Sequence, residues 1–157
     1  HCISSAASDV YKRQANNHSV KIGVNAFVIA RDTEEEAQAV LREIVAKANV
    51  QAVKSFGEAT REAGAASKEG EGNWAKSTFE DLVQYNDGFR TNLIGTPEQI
   101  AERIIELKKV GVDLVLSGFL HFIEEVEYFG EKVLPLVREL EAQQAEQQQE
   151  EQEAELV

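Results

Sequence analysis

Alternation of apolar and polar residues defines the first element of the chain. In Val20 to Ala30 (VKIGVNAFVIA), Val20, Ile22, Val24, Ala26 and Val28 share one strand face by period two. Lys21, Gly23, Asn25, Phe27 and Ile29 share the other. The run is apolar enough for a strand covered on both sides, as in parallel sheets. Phe27 reads as core. Asn25 is the oddity, because a buried Asn needs partners or a ligand. The period changes at Thr33. Thr33 and Glu36 form a capping-box signature, and Ala37, Val40, Leu41, Ile44, Val45 and Ala48 follow at helical spacing. A helix to about Ala48 is predicted.

The pattern loosens between about 50 and 90. Gln51 to Ala63 is compatible with a helix. Gly64 to Asn73 (GAASKEGEGN) reads as a mobile loop, and Trp74 to Tyr85 as a short helix with Trp74 anchoring the insertion. Asn86-Asp87-Gly88 marks a turn. Such an insertion suits either a lid or a variable surface segment.

Regularity returns with a short strand at Thr91 to Gly95. Thr96-Pro97-Glu98-Gln99 is a helix start: an N-cap Thr, Pro at the first position and Gln three after the cap. Ile100, Ile104 and Leu107 line that helix, and Gly111 suits its C-terminus. Val112 to Leu116 is predicted as a short buried strand, with Ser117-Gly118-Phe119 at its C-terminal end. His121 to Leu140 is helical, weakened by Gly130 and kinked by Pro135. Residues 141–157 form an acidic, Gln/Glu-rich tail, solvated and either a frayed helix or disordered. Parallel strands joined by crossover helices follow from this order.

The chain has 157 residues and a net charge of −12, with 16 basic and 28 acidic residues. That field disfavours nucleic acid and anionic lipid as partners. No apolar run approaches the roughly 20 residues of a membrane helix. One cysteine excludes an internal disulfide and suits a reducing, cytoplasmic setting. There is no methionine. Residues 4–14 (SSAASDVYKRQ) match, in one frame, the translation of a transposase-type sequencing adapter. Residues 1–14 are therefore expected to be an adapter artefact, disordered, and natural sequence to start near Ala15. No Cys/His metal spacing, P-loop or GxSxG is found. Glu34-Glu35-Glu36 and Glu124-Glu125 read as solvated helix charge.

The segment LIGTPEQIAERIIELKKVGVDLVLSGFLHFIEEVEYFGEKVLPLVREL resembles the C-terminal end of the bacterial luciferase-like flavin monooxygenases. VNAFVIARDTEEEA and NDGFRTNLIGT fit the same family in the same order. Within the family the similarity is greatest to the dimethylsulfone monooxygenase group, and it covers about Val20 to Leu140. The resemblance implies an α/β fold. Residues 15–140 would be the C-terminal part of a TIM barrel, about strands 6–8 with their helices, incomplete as it stands. A whole barrel takes about 250 residues. It also implies a cytoplasmic, two-component enzyme. FMN, reduced to FMNH2 by a separate NAD(P)H-dependent flavin reductase, would use O2 to oxidise dimethylsulfone to methanesulfinate and formaldehyde. The parent is expected to be a homo-oligomer, and the chain alone inactive.

Chemistry in a TIM barrel sits at the C-terminal ends of the strands. The resemblance makes His121 the candidate catalytic residue, a proton donor or acceptor near neutral pH; capping or packing of the last helix is the competing reading. Ser117, Gly118 and Phe119 would line the flavin or substrate pocket. In alkanesulfonate relatives an Arg and a His align with Asn25 and Phe27, and a Tyr with Phe119. Those cations suit an anionic sulfonate. A small neutral organosulfur substrate such as a sulfone fits Asn and Phe better, since a buried unpaired charge is costly. Asn86 and Arg90 are possible loop contacts, and Thr96 heads a helix N-terminus of the kind that meets phosphate. No metal site is expected. Two alternatives stay open: a stand-alone small α/β binding module, and another flavin- or deazaflavin-dependent oxidoreductase of the same superfamily.

Overall fold

The computed structural model describes residues 21–65, 77–85 and 88–155. Strands β1 (Gly23–Phe27) and β2 (Ile29–Ala30) are two parts of one extended run, interrupted at Val28. Helices α1 (Glu34–Ala46), α2 (Val50–Ala65) and α3 (Phe79–Leu82) follow, then a 3-10 turn at Gly88–Thr91 and the two-residue strand β3 (Ile94–Gly95). Helix α4 (Pro97–Lys109) leads to β4 (Leu114–Gly118). Helix α5 (Phe122–Tyr128), a π-turn (Phe129–Val133) and α6 (Leu134–Glu155) complete the chain. Among the described residues no helix is long and apolar enough to cross a membrane.

The helix starts follow from local chemistry. Thr33 accepts from Glu36 N–H and the Glu36 carboxylate accepts from Thr33 N–H, closing the expected capping box. Thr96 and Gln99 do the same for α4, with Pro97 at the first turn. Thr78 and Asp81 build a third box at α3, so the helix begins there. The Gly64–Asn73 loop falls mostly, and Trp74 wholly, outside the described residues, as do Asn86 and Asp87. Gly111 closes α4 at φ 93°, a conformation that glycine adopts without strain.

The strand expected at 91–95 shrinks to two residues. The Thr91 hydroxyl donates to Gly88 O inside the 3-10 turn, and Asn92 takes the left-handed conformation at φ 56°. The last strand lies two residues later than predicted, because Val112 N–H still closes the α4 turn on Leu107 O. The final helix is divided. Its π-turn includes Gly130 and ends just before Leu134 and Pro135, so the predicted weak point is a widened turn. The helix continues through residues 141–155, mostly exposed over 142–154 and tied back by a 2.6 Å ion pair between Lys108 and Glu141.

All described strand pairings are parallel. β1 pairs with β4 (Asn25 opposite Leu116, Phe27 opposite Gly118) and β2 with β3 (Ile29 opposite Ile94). Val28 N–H bonds Gly118 O, whereas Ile29 and Arg31 N–H bond Leu93 O and Gly95 O on the opposite edge. The first strand run therefore lies between the other two. Successive strands of a barrel would be neighbours, with 94–95 in the middle. Here the most apolar strand has both edges paired, which hides more backbone than a terminal position would. The described residues form an open, mixed helix-and-strand arrangement with no closed barrel.

Period two sorts the strand into two cores. Ala26, Val28 and Ala30 pack with Leu93, Ile100, Ala101, Ile105, Val133 and Val137, under α4 and the final helix. Phe27 and Ile29 pack with Ala37, Val53, Leu82, Phe89 and Ile94, under α1 to α3. Each fully buried Ile, Leu or Val contributes roughly 1.5–3 kcal/mol. The expectation of a strand covered on both sides fails at the start of β1 and along β4. Asn25 is exposed, as are Leu114 and Leu116, at 63% and 67%. The cover on that face stops at Phe27, so Asn25 has no burial to be compensated.

Candidate functional site

The C-terminal ends of β2 and β4 open on a cleft of about 500 Å³, lined by Arg31, Asp32, Glu36, His121, Glu125 and Tyr128 among others. This is the end of a parallel sheet where ligands bind. Arg31 and Asp32 arrive directly from β2. His121, Glu125 and Tyr128 share one face of the helical segment by i, i+4, i+7 spacing.

A short polar network holds the cleft. Arg31 Nη2 donates to Glu125 Oε1 at 2.6 Å, and Arg31 Nη1 to Ala30 O at 2.7 Å. The Glu125 side chain is only 12% exposed. Its other oxygen, Oε2, accepts from Leu120 N–H at 2.9 Å and His121 N–H at 3.1 Å. The Tyr128 hydroxyl donates to Asp32 Oδ1 at 2.6 Å. Burial pushes that phenol up to about 12, helped by its hydrogen bond to Asp32 and the nearby carboxylate charge. Tyr128 is therefore a neutral donor across the physiological range.

His121 stands at the N-cap of α5, but its side chain makes no capping bond. Glu125 supplies the backbone contacts instead. The cleft carries more carboxylates than cations, and its one arginine is paired.

The other predicted site residues are dispersed. Asn25 lies on the open strand face beside Leu116. Phe27 is buried in the second core, edge to face with Phe89 at 5.3 Å. Gly118 lies opposite Phe27; an added methyl would meet Ala26 O and the Phe27 ring at 3.6 Å, an ordinary contact. Ser117 falls on the reverse face, in a second cleft of about 610 Å³ between α4, β4 and α6. Phe119 packs on the first core against Phe129, ring centres 5.7 Å apart. Arg90 is exposed at the 3-10 turn, and Asn86 is outside the described residues. Thr96 is a cap whose oxygen accepts from Gln99 N–H. The carboxylate of Glu98 is held below its usual range by its own backbone N–H and the Thr96 hydroxyl. The anion at that helix end is thus already Glu98.

Of the predicted residues, His121 alone reaches the cleft at the strand ends. Arg31, Asp32, Glu125 and Tyr128 were not anticipated. Glu125 corrects the reading of Glu124-Glu125 as solvated charge: Glu124 is exposed, but Glu125 is ion-paired and mostly buried. The available signal was the helical spacing of His121, Glu125 and Tyr128 next to a strand ending in Arg-Asp. Among the described residues no group of three His, Cys, Asp or Glu side chains could hold a metal ion.

Comparison with known proteins adds a family. Residues 3–114 match the family model for luciferase-like monooxygenases. The chain is 78% identical over 131 residues to an FMNH2-dependent dimethylsulfone monooxygenase of Pseudomonas fluorescens (strain Pf0-1), covering 83% of this chain and 36% of that relative. It is 78% identical over 130 residues to a protein of the same name from Pseudomonas putida, with the same coverage. The chain thus spans about a third of the length of the curated relatives it matches.

Proposed function

The chain belongs to the luciferase-like monooxygenase family, and from that premise we propose that it is the part of a reduced-FMN-dependent dimethylsulfone monooxygenase carrying about strands 6–8 of its TIM barrel. The 78% identity to two proteins so named carries the reading. The uncovered strand face supports it, since Leu114 and Leu116 are side chains that the interior of a larger sheet would bury. On this reading residues 15–140 are barrel and 141–157 a tail.

The residues fit one portion of a flavin. Leu114 and Leu116 offer apolar surface to an aromatic ring system, and Asn25 an amide that both donates and accepts. The acidic cleft does not suit the phosphate. FMNH2 with O2 supplies the chemistry: dimethylsulfone, O2 and two reducing equivalents give methanesulfinate, formaldehyde and water. A separate flavin reductase provides the FMNH2. Asn25 and Gly118 would give a neutral wall suited to an uncharged sulfone, with Phe27 backing it from the second core and Ser117 and Phe119 from the reverse face. His121 holds or releases a proton at its imidazole.

The test is a graft. Residues 20–140 replace the matching segment of the Pseudomonas putida relative, and formaldehyde release from dimethylsulfone is measured with FMN, NADH and a flavin reductase. The folded chimera should turn over and the 157-residue chain alone should not. A folded, inactive chimera removes the reading. One observation favours the stand-alone module instead: the first strand lies in the middle of the sheet, an open-sheet order. A single cooperative unfolding transition of the isolated chain would support that alternative.

A further inference from the structure

We infer that Glu125 is a positioning residue that fixes the Phe119–His121 segment and so sets where the His121 imidazole stands. The importance of His121 rests on the monooxygenase reading; the positioning itself does not. One carboxylate does two separate tasks. Oε2 takes the backbone N–H groups of both Leu120 and His121, at 2.9 and 3.1 Å. Oε1 takes Arg31 Nη2 at 2.6 Å, across 94 residues of chain. Arg31 is itself anchored at the end of β2, through Nη1 to Ala30 O.

The loop after β4 is thereby tied to the strand end beside it. Charge-assisted bonds of this kind are the strong ones, and the carboxylate is mostly buried. Leu120 and His121 are themselves exposed, at the surface end of the strand, so burial does little to hold them. The imidazole makes no capping bond to the helix it heads. Its position therefore follows its backbone, and its backbone follows Glu125.

Amide hydrogen exchange and the His121 ring signals, measured by NMR on the 157-residue chain, test this. In Glu125→Ala the Leu120 and His121 amides should exchange about tenfold faster or more. The His121 ring signals should shift with the loosened backbone, while the Ala26 and Ile105 amides keep their protection. Glu125→Gln keeps an acceptor for the two amides and should restore their protection to within about threefold of the parent. Unchanged Leu120 and His121 amides in Glu125→Ala overturn the proposal. So does an equal loss in both variants that spreads over β1 and α4, the mark of a general staple. Should Glu125→Ala fail to fold, Arg31→Gln decides: it cuts the tie from the carboxylate to the end of β2, so the Leu120 and His121 amides should exchange faster than in the parent, and unchanged exchange there sinks the idea. No flavin or sulfone enters these readouts, so this proposal and the monooxygenase reading can fail separately.

Discussion

The two faces of the β1–β4 pair carry apolar residues of similar kind and meet opposite surroundings. On one, Ala26 and Val115 lie under α4 and the final helix, with Ile100 and Val133 closing over them. On the other, Leu114 and Leu116 stand in water beside Asn25. The strand pattern does not distinguish the faces. What differs is the partner: α4 has an apolar stripe aimed along the first, whereas the second is covered only at its Phe27 end, by Phe89 and the second core. Burial is a property of a pair of surfaces, and a sequence pattern describes only one of them.

The largest expected effect separates the faces directly. Ile100→Ala should cost about 2–5 kcal/mol of stability, because it empties a packed site. Leu116→Ala should stay within about 0.5 kcal/mol, because its side chain is already in water. Urea unfolding midpoints measure both, and equal losses would break the contrast. Next is the helix that makes the cover. Thr96→Ala removes the cap of α4 and should lower the same midpoint by about 1 kcal/mol.

A smaller effect is confined to alkaline pH. The Tyr128 proton is held up to about 12 in the folded chain, against about 10 in an unfolded one. Its contribution is complete below the unfolded value and is lost as pH rises towards the folded one. Stability should therefore fall between about pH 10 and 12, and less steeply in Tyr128→Phe. Absorbance of the ionised phenol checks the assignment: the component titrating near 12 should vanish in that variant. Smallest is Lys108→Ala, which removes an exposed ion pair to Glu141 and should change stability by no more than about 0.5 kcal/mol.

The legible parts of the fold are those decided within a few residues. Thr33 with Glu36, and Thr96 with Gln99, announce their helices because a capping box is closed by side chains three apart. Thr78 with Asp81 is the same device with a shorter acid, and it sets a start that the apolar pattern around Trp74 obscured. Gly111 and the Gly130–Pro135 weak point are local as well. Strand order was not legible, because it depends on which edge each distant strand takes. Nor was the exposure of Leu114 and Leu116. At the site, His121 was singled out by the family resemblance and not by its local pattern. Ser117 was misgrouped because parity turns it to the face of Ala26. Glu125 looked like any helix carboxylate, since its fate is set by an arginine 94 residues away.

The pairing of β1 with β4 also has a consequence in time. Ile22 N–H bonds the Asp113 carboxylate across 91 residues of chain. A ribosome adding 5–20 residues per second leaves the first strand without that partner for on the order of 10 s. During that interval α1 and α2 emerge early, and the covering helix α4 only at its very end. The nascent chain must keep its most apolar strand from pairing with a neighbour's, and slow assembly of this kind makes the yield of folded protein sensitive to how crowded its own synthesis is.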